Sequence, residues 1–184
     1  MTGAAARGTL HLVVGPSGAG KDTLIDAARA ARPDILFPTR VITRPADAGG
    51  EAHEALDEAG FEVRAARGDF ALWWRAHGLG YGVPASIGPA LAAGRHVMVN
   101  VSRGVVAEAR TRFAPIRVLV VTASPDALAA RLAGRGRETA SDIAARLARA
   151  PYTVPDGPDV RVIVNDGLRE RAAAAFCAAL VPAR

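Results

Sequence analysis

The stretch Gly15-Pro16-Ser17-Gly18-Ala19-Gly20-Lys21-Asp22-Thr23 lies between an apolar run, Leu10 to Val14, and a helical pattern, Thr23 to Ala31. A strand, a glycine loop and a helix in that order leave few folds open, because together they make a cradle for phosphate. Glycines let successive backbone N–H groups turn inward without Cβ clashes, and the helix N-terminus adds partial positive charge. A lysine at this spacing reaches the outer phosphates as a mobile point charge. Lys21 is the single lysine of the chain, and arginine serves everywhere else. It stands where a slender ammonium fits and a planar guanidinium would not.

After the lysine of such a loop there is ordinarily Ser or Thr, whose hydroxyl binds Mg²⁺. Here Asp22 follows, and then Thr23. A carboxylate beside a triphosphate is repelled unless a cation sits between them. Asp22 is therefore expected to hold Mg²⁺, directly or through water, or to serve as an acid at the helix N-terminus.

The remaining apolar runs alternate with helical patterns. Leu36 to Thr43 contains a second strand, broken at Arg44-Pro45. His96 to Val101, Ile116 to Thr122 and Val160 to Val164 read as further core strands. Helices are expected within Glu54 to Arg67 (interrupted at Gly60), over Pro84 to Ala93, and from Ser102 to about Phe113. Another starts at Ser124-Pro125-Asp126 and runs to Leu132, and one spans Ser141 to Ala150. The last is capped by Asp166 and carries the stripe Leu168, Ala172, Phe176, Ala179 and Leu180. Asp69 to His77 alternates weakly and holds both tryptophans, and Gly78 to Gly82 reads as a flexible turn. Strands alternating with helices predict an α/β fold with a five-stranded parallel sheet. At 184 residues the chain suits one domain. In such sheets the ligand sits at the carboxyl ends of the strands. That edge gathers the glycine loop, Thr43-Arg44, Asn100, Ser102-Arg103, Thr122 and Asn165-Asp166.

A net charge of +5 first suggests nucleic acid. The arginines are spread out, however, with no basic tract and no aromatic platform, so no nucleic-acid partner is expected. Arginine also suits an enzyme of phosphorylated substrates, through bidentate grips. No run of eighteen apolar residues occurs, so no membrane span is expected. The N-terminus lacks the layout of a signal peptide, and the single cysteine, Cys177, fits a reducing cytoplasm.

Arg131-Leu132-Ala133-Gly134-Arg135-Gly136-Arg137-Glu138 places glycines around closely spaced arginines between two helices. A hinged flap would bring that charge to a transferring phosphoryl group; a solvent-facing turn is the plainer alternative. Arg146 and Arg149 lie further along, with Arg149 the more exposed candidate. Arg40-Val41-Ile42-Thr43-Arg44-Pro45, with Glu51 and His53 beyond, offers two arginines for an acceptor phosphate. Ala76-His77-Gly78-Leu79-Gly80-Tyr81-Gly82 brings His77 and Tyr81 toward a ligand. His11 and His96, in core strands, read as structural. No residue stands out as a general base. A phosphate acceptor already carries anionic oxygens at neutral pH and needs positioning and charge neutralisation rather than a base.

Together these segments resemble the nucleoside-monophosphate kinases, the guanylate kinases above all, through Gly15 to Lys21, Thr43-Arg44, Tyr81-Gly82, Arg131 through Arg135-Gly136, and Arg146-Leu147. A still closer resemblance, covering about residues 8 to 181, is to the ribose 1,5-bisphosphate phosphokinases of phosphonate metabolism. Its marks are Gly20-Lys21-Asp22, Ile42-Thr43-Arg44-Pro45, Glu51 with His53, Ala76-His77-Gly78-Leu79 with Tyr81-Gly82, Asn100 with Ser102-Arg103, and Arg135-Gly136-Arg137-Glu138. Guanylate kinases carry a second arginine where Ala46 and Asp47 stand, a threonine where Val83 stands and an aspartate where Asn100 stands. Without those groups a guanine edge is left unread.

The resemblance implies a nucleotide-kinase fold with its core at about 8–36 and 94–184, an acceptor-binding region at 37–93 and an arginine-bearing lid at 133–142. It implies ATP as donor, with Mg²⁺, and a phosphorylated sugar as acceptor, yielding ADP and 5-phosphoribosyl diphosphate. Gly15 to Thr23 would grip ATP, with Arg131, Arg135, Arg137 and Asn165 beside it. Lys21, Arg135 and Arg146 would act on the transferring group. Arg40, Arg44, Glu51, His53, His77, Tyr81, Asn100, Ser102 and Arg103 would hold the sugar. A guanylate kinase acting on GMP and a non-catalytic binding module of the same fold are the rival readings. Alanine-rich helices offer several faces on which a homodimer would be compatible.

Overall fold

Strand β1 (Leu10–Val14) is buried along its whole length and sits inside a parallel sheet with neighbours on both sides. The structure, a computed structural model, describes residues 6–46, 51–134 and 152–182. Helix α1 (Lys21–Ala31) follows β1. After it come β2 (Val41–Ile42), β3 (Glu54–Ala55), α2 (Glu58–Ala66), β4 (Phe70–Ala76), β5 (Leu79–Pro84) and α3 (Ile87–Ala92). The chain then forms β6 (Val97–Asn100), a 3-10 turn (Arg103–Val105), α4 (Val106–Arg112), β7 (Ile116–Thr122), α5 (Pro125–Gly134), β8 (Val160–Val164) and α6 (Arg169–Ala178).

The main sheet has four parallel strands in the order β6-β1-β7-β8. Five were expected. The second expected strand reaches this sheet only as an isolated parallel bridge, Leu36 to Val97. Pro33 and Pro38 flank that bridge, and a proline has no N–H to extend a ladder. Its remainder, β2, turns away into a second sheet, β3-β2-β5-β4, in which β2 pairs antiparallel with β5 and β5 antiparallel with β4.

Strand alternation divides the core between the two faces of the main sheet. Leu10, Leu12 and Val14 face a cluster with Val97, Val118 and Val120, covered by Leu72, Trp74, Ile87, Leu91 and Val106. Val13 faces the other way, with Met98, Leu119, Val121 and Ile163, covered by Leu24 and Ala28 of α1 and Ala172 and Phe176 of α6. A third, smaller cluster joins Val41, Phe61 and Phe70 under the second sheet.

Several local expectations are corrected. Gly60 does not interrupt a helix: α2 begins at Glu58, and Gly60 donates its N–H to the Asp57 carboxylate at 2.7 Å as part of the cap. The segment 78–82 is not a flexible turn. His77 and Gly78, with φ of 52° and 74°, make a tight hairpin turn, and Leu79 to Pro84 pairs as a strand. Asp166 does not cap the last helix; its carboxylate accepts from the Ser124 N–H at 2.5 Å, and α6 starts after Leu168 with no side-chain cap. Leu168, expected on the buried stripe, is 74% exposed, whereas Ala172, Phe176 and Leu180 are buried as expected. The expected helix over Ser141 to Ala150 lies outside the described residues.

Candidate active site

The glycine loop leaves β1 at the carboxyl edge of the main sheet. Gly15, Gly18 and Gly20 have φ of 151°, 86° and 91°. A Cβ on Gly15 would stand 2.0 Å from the Val121 carbonyl oxygen, and one on Gly20 would stand 2.5 Å from Asn165 Nδ2. Both the left-handed backbone and the close approach therefore require glycine there. Lys21 folds back over the loop, its Nζ donating to the carbonyls of Gly15 at 2.8 Å and Pro16 at 3.0 Å. That posture holds the ammonium at the mouth of the cradle.

The loop is braced from β8 and α5. Asn165, buried just past the end of β8, donates Nδ2 to the Ala19 carbonyl at 2.8 Å. Arg131 in α5 donates to the Asn165 carbonyl at 2.6 Å and reaches the Ala19 carbonyl at 3.5 Å. Two residues expected beside the nucleotide thus hold the shape of the loop itself.

Facing the loop is a cleft of about 590 Å³, bounded by Lys21, Arg40, Tyr81, Asn100, Arg103 and Tyr152 among others. His77 and Ser102 border it as well. Arg40 is 7% exposed. Its guanidinium donates to the Asn100 carbonyl at 2.8 Å and pairs with the Glu51 carboxylate. It also lies 5.7 Å from the Trp74 ring centre and 5.5 Å from that of Tyr81. Those two rings stack at 5.3 Å with an angle of 3°. Asn100 additionally donates Nδ2 to the Asp22 carboxylate at 3.3 Å. Arg103 lies over the Tyr152 ring at 5.1 Å and reaches the Thr153 carbonyl at 3.5 Å. Burial pushes the Tyr152 hydroxyl up to about 12, so it stays protonated.

Not every candidate converges on this cleft. Arg44 lines a separate, shallower hollow with Thr43, Pro45 and Asp57. His53 lies beside Arg44, with Nε2 3.1 Å from the Arg44 carbonyl and Nδ1 3.0 Å from the Glu51 carbonyl and 3.3 Å from the Arg44 guanidinium. Thr43 accepts from the Gly80 N–H at 2.8 Å, tying the segment to β5. Arg135, Arg137 and Arg146, with most of the expected lid, lie outside the described residues. Sequence reasoning missed Trp74 and Tyr152 as walls of the cleft. Aromatic scarcity was the available signal, since Tyr152 is one of two tyrosines in the chain.

Among the described residues, no Asp or Glu lines the cleft around Lys21, whereas Lys21, Arg40 and Arg103 do. The same residues form no group of three or more His, Cys, Asp and Glu side chains that could hold a metal ion, and no helix is long and apolar enough to cross a membrane.

A phosphate-binding loop at the switch of a parallel sheet, with an arginine-walled cleft opposite, defines a P-loop kinase. A guanylate kinase from Anaplasma phagocytophilum shares the fold, with a TM-score of 0.64 at 16% identity over 95% of this chain and 85% of that one. No protein-family model matches the chain. Curated relatives match it closely along its length. A protein named ribose 1,5-bisphosphate phosphokinase PhnN from Acidiphilium cryptum is 55% identical over 180 residues, 96% of this chain and 94% of its own. Proteins of the same name from Rhizobium etli and Methylobacterium radiotolerans are 49% and 48% identical, covering 91% and 94% of this chain and 87% and 97% of their own lengths. The chain belongs to the ribose 1,5-bisphosphate phosphokinase PhnN family.

Proposed function

We propose that this protein transfers the γ-phosphoryl group of ATP to the 1-phosphate of ribose 1,5-bisphosphate. An oxygen of the 1-phosphate attacks the γ-phosphorus, the bond to the β,γ-bridging oxygen breaks, and ADP leaves with the electron pair. 5-Phosphoribosyl 1-diphosphate is the other product. The observation that carries this reading, beside family membership, is the lining of the cleft at Lys21, which among the described residues has Lys21, Arg40 and Arg103 and no Asp or Glu. An alcohol acceptor is served by a positioned base; a phosphate dianion is served by charge neutralisation and alignment. Backbone N–H groups between Ser17 and Thr23 cradle the donor, and Lys21 spans its outer phosphates. Arg103 and His77 face the acceptor, and Arg131 with Asn165 keeps the loop open to receive ATP. We assign Arg135, Arg137 and Arg146 to the charge that builds on the transferring group. Residues 37–93 then form the acceptor side of a single catalytic unit.

Mg²⁺ suits the oxygen donors here. Asp22 is exposed in the first turn of α1 beside Lys21, and Thr23 supplies a hydroxyl next to it. When bound, the ion screens the donor phosphates from each other. Asp22→Asn is expected to raise the Mg²⁺ concentration needed for half-maximal rate; an unchanged requirement refutes a metal role for Asp22.

The test of the reaction is ADP release with a panel of acceptors, using Lys21→Ala as the blank. Ribose 1,5-bisphosphate should be the preferred acceptor. Preference for GMP overturns the assignment, and ATP binding without turnover of any acceptor supports a binding module instead.

A further inference from the structure

Two large cavities meet at Arg40. The cleft over Lys21, of about 590 Å³, and a second cavity beside α1, of about 580 Å³, share Arg40 and Asn100 in their walls. The second cavity has apolar surfaces from Ile25, Phe37 and Met98 and carboxylates from Asp22, Asp26 and Glu51, and Arg29 also lines it with its guanidinium 4.6 Å from the Phe37 ring centre. Flat apolar walls with acceptor oxygens suit a planar ring bearing N–H donors, such as a nucleobase. A phosphate held at Lys21 and a base held beside α1 would require the two cavities to be continuous.

Arg40 lies in the wall common to both cavities and is held there from three sides. One terminal nitrogen donates to the Asn100 carbonyl, the other meets the Glu51 carboxylate, and the guanidinium rests against the stacked Trp74 and Tyr81 rings. Its Nε is buried with no hydrogen-bond partner. A buried cation with an unsatisfied N–H is a costly way to fill a wall that an aliphatic side chain would fill more stably. With both terminal nitrogens engaged, this guanidinium is set as a bolt, with little left to offer a ligand.

We propose that Arg40 determines acceptor specificity by closing the passage between the two cavities. A phosphorylated sugar fits within the cleft at Lys21. A nucleoside 5′-monophosphate, whose base must extend into the cavity beside α1, is turned away. The sugar half of this statement rests on the function proposed above; the exclusion of the base does not.

Two measurements on the full-length protein separate them. In the first, wild type and Arg40→Ser are compared for kcat/KM with ribose 1,5-bisphosphate and with GMP and AMP. The nucleotide-to-sugar ratio should rise by about tenfold or more, mainly through a lower KM for the nucleotide. In the second, calorimetry reads GMP and AMP binding without turnover. Affinity for at least one should rise by about tenfold in the variant. A nucleotide affinity unchanged within about threefold, in a variant that matches wild type in Tm and ATP affinity, overturns the partition. If wild type fails to turn over the sugar bisphosphate, the proposed function falls, and the binding measurement still decides the partition. Should Arg40→Ser not fold, Arg40→Gln, which keeps a donor toward the Asn100 carbonyl, is judged by the same criteria. A merely structural Arg40 would lower stability and leave the nucleotide-to-sugar preference where it was.

Discussion

In the proposed reaction the Lys21 ammonium, folded back on the Gly15 and Pro16 carbonyls, stands where donor and acceptor phosphates must approach each other. Replacing it with alanine leaves two anions with less to offset their repulsion. Lys21→Ala is expected to lower kcat/KM by on the order of 10²–10³, measured as ADP release with ribose 1,5-bisphosphate, with an unchanged far-UV spectrum. Gly20 acts on a different level. At φ 91°, with Asn165 Nδ2 2.5 Å from where its Cβ would be, it accepts no side chain without movement. Gly20→Ala should cost about 1–3 kcal/mol in denaturant unfolding and weaken ATP binding through the distorted loop. Both residues were legible in the spacing of the loop. Tyr152 and Trp74 were not: what makes them walls of the site is the proximity of distant segments, and neither sits in a local pattern that announces it.

Among the elements, the second sheet shows how glycine can mislead a local reading. Gly80 and Gly82 look like turn residues, yet both lie in β5. A Cβ on Gly80 would be 3.0 Å from the Phe61 ring, and one on Gly82 would be 2.5 Å from the Phe70 ring. These glycines let two aromatic rings lie flat against a strand, a requirement set across the fold. The brace from β8 and α5 to the glycine loop belongs to the same scale. Asn165→Ala removes the bond from Nδ2 to the Ala19 carbonyl, leaving that carbonyl with the longer bond from Arg131. Stability should fall by about 1–2 kcal/mol, and ATP affinity should drop by more than acceptor KM changes, as read by calorimetry and steady-state kinetics.

At the scale of the whole molecule, the buried histidine pair ties the sheet to the C-terminal segment. His11 donates Nδ1–H to the Val97 carbonyl at 3.2 Å, and its Nε2 accepts from the Val181 N–H at 3.5 Å. The His96 ring meets it edge-on at 5.9 Å, and Arg32 and Arg117 fasten the chain beyond α6 through the carbonyls of Val181 and Ala179. Burial pushes the His11 imidazole down to about 4, against 6.5 in the ordinary case. The unfolded chain therefore binds the proton first. This contribution to stability is fully present above pH 6.5 and is lost as pH falls toward 4, by about 3 kcal/mol. Urea unfolding at pH 7 and pH 4.5 should show that decline in wild type and a shallower one in His11→Gln. The expectation that His11 and His96 are structural agrees with their burial at 0% and 4%, away from the cleft.

Some of this molecule could be read along the chain, because the physics involved is local. Apolar runs bounded by glycine and proline place β7 and β8 at their observed limits, and the glycine spacing places the turn between β1 and α1. A local signal stops where a decision depends on segments far apart in sequence. The fifth strand of the main sheet shrank to a single bridge because Pro33 and Pro38 leave Leu36 too little backbone to pair, while β2 found a better partner in β5. Asp166 turned from capping its own helix to the Ser124 N–H because folding set that donor within reach. The sequence reads Arg40 as one more phosphate grip; only the fold shows that Asn100, Glu51, Trp74 and Tyr81 surround its guanidinium, and no one-dimensional pattern encodes which side chains will enclose a buried charge.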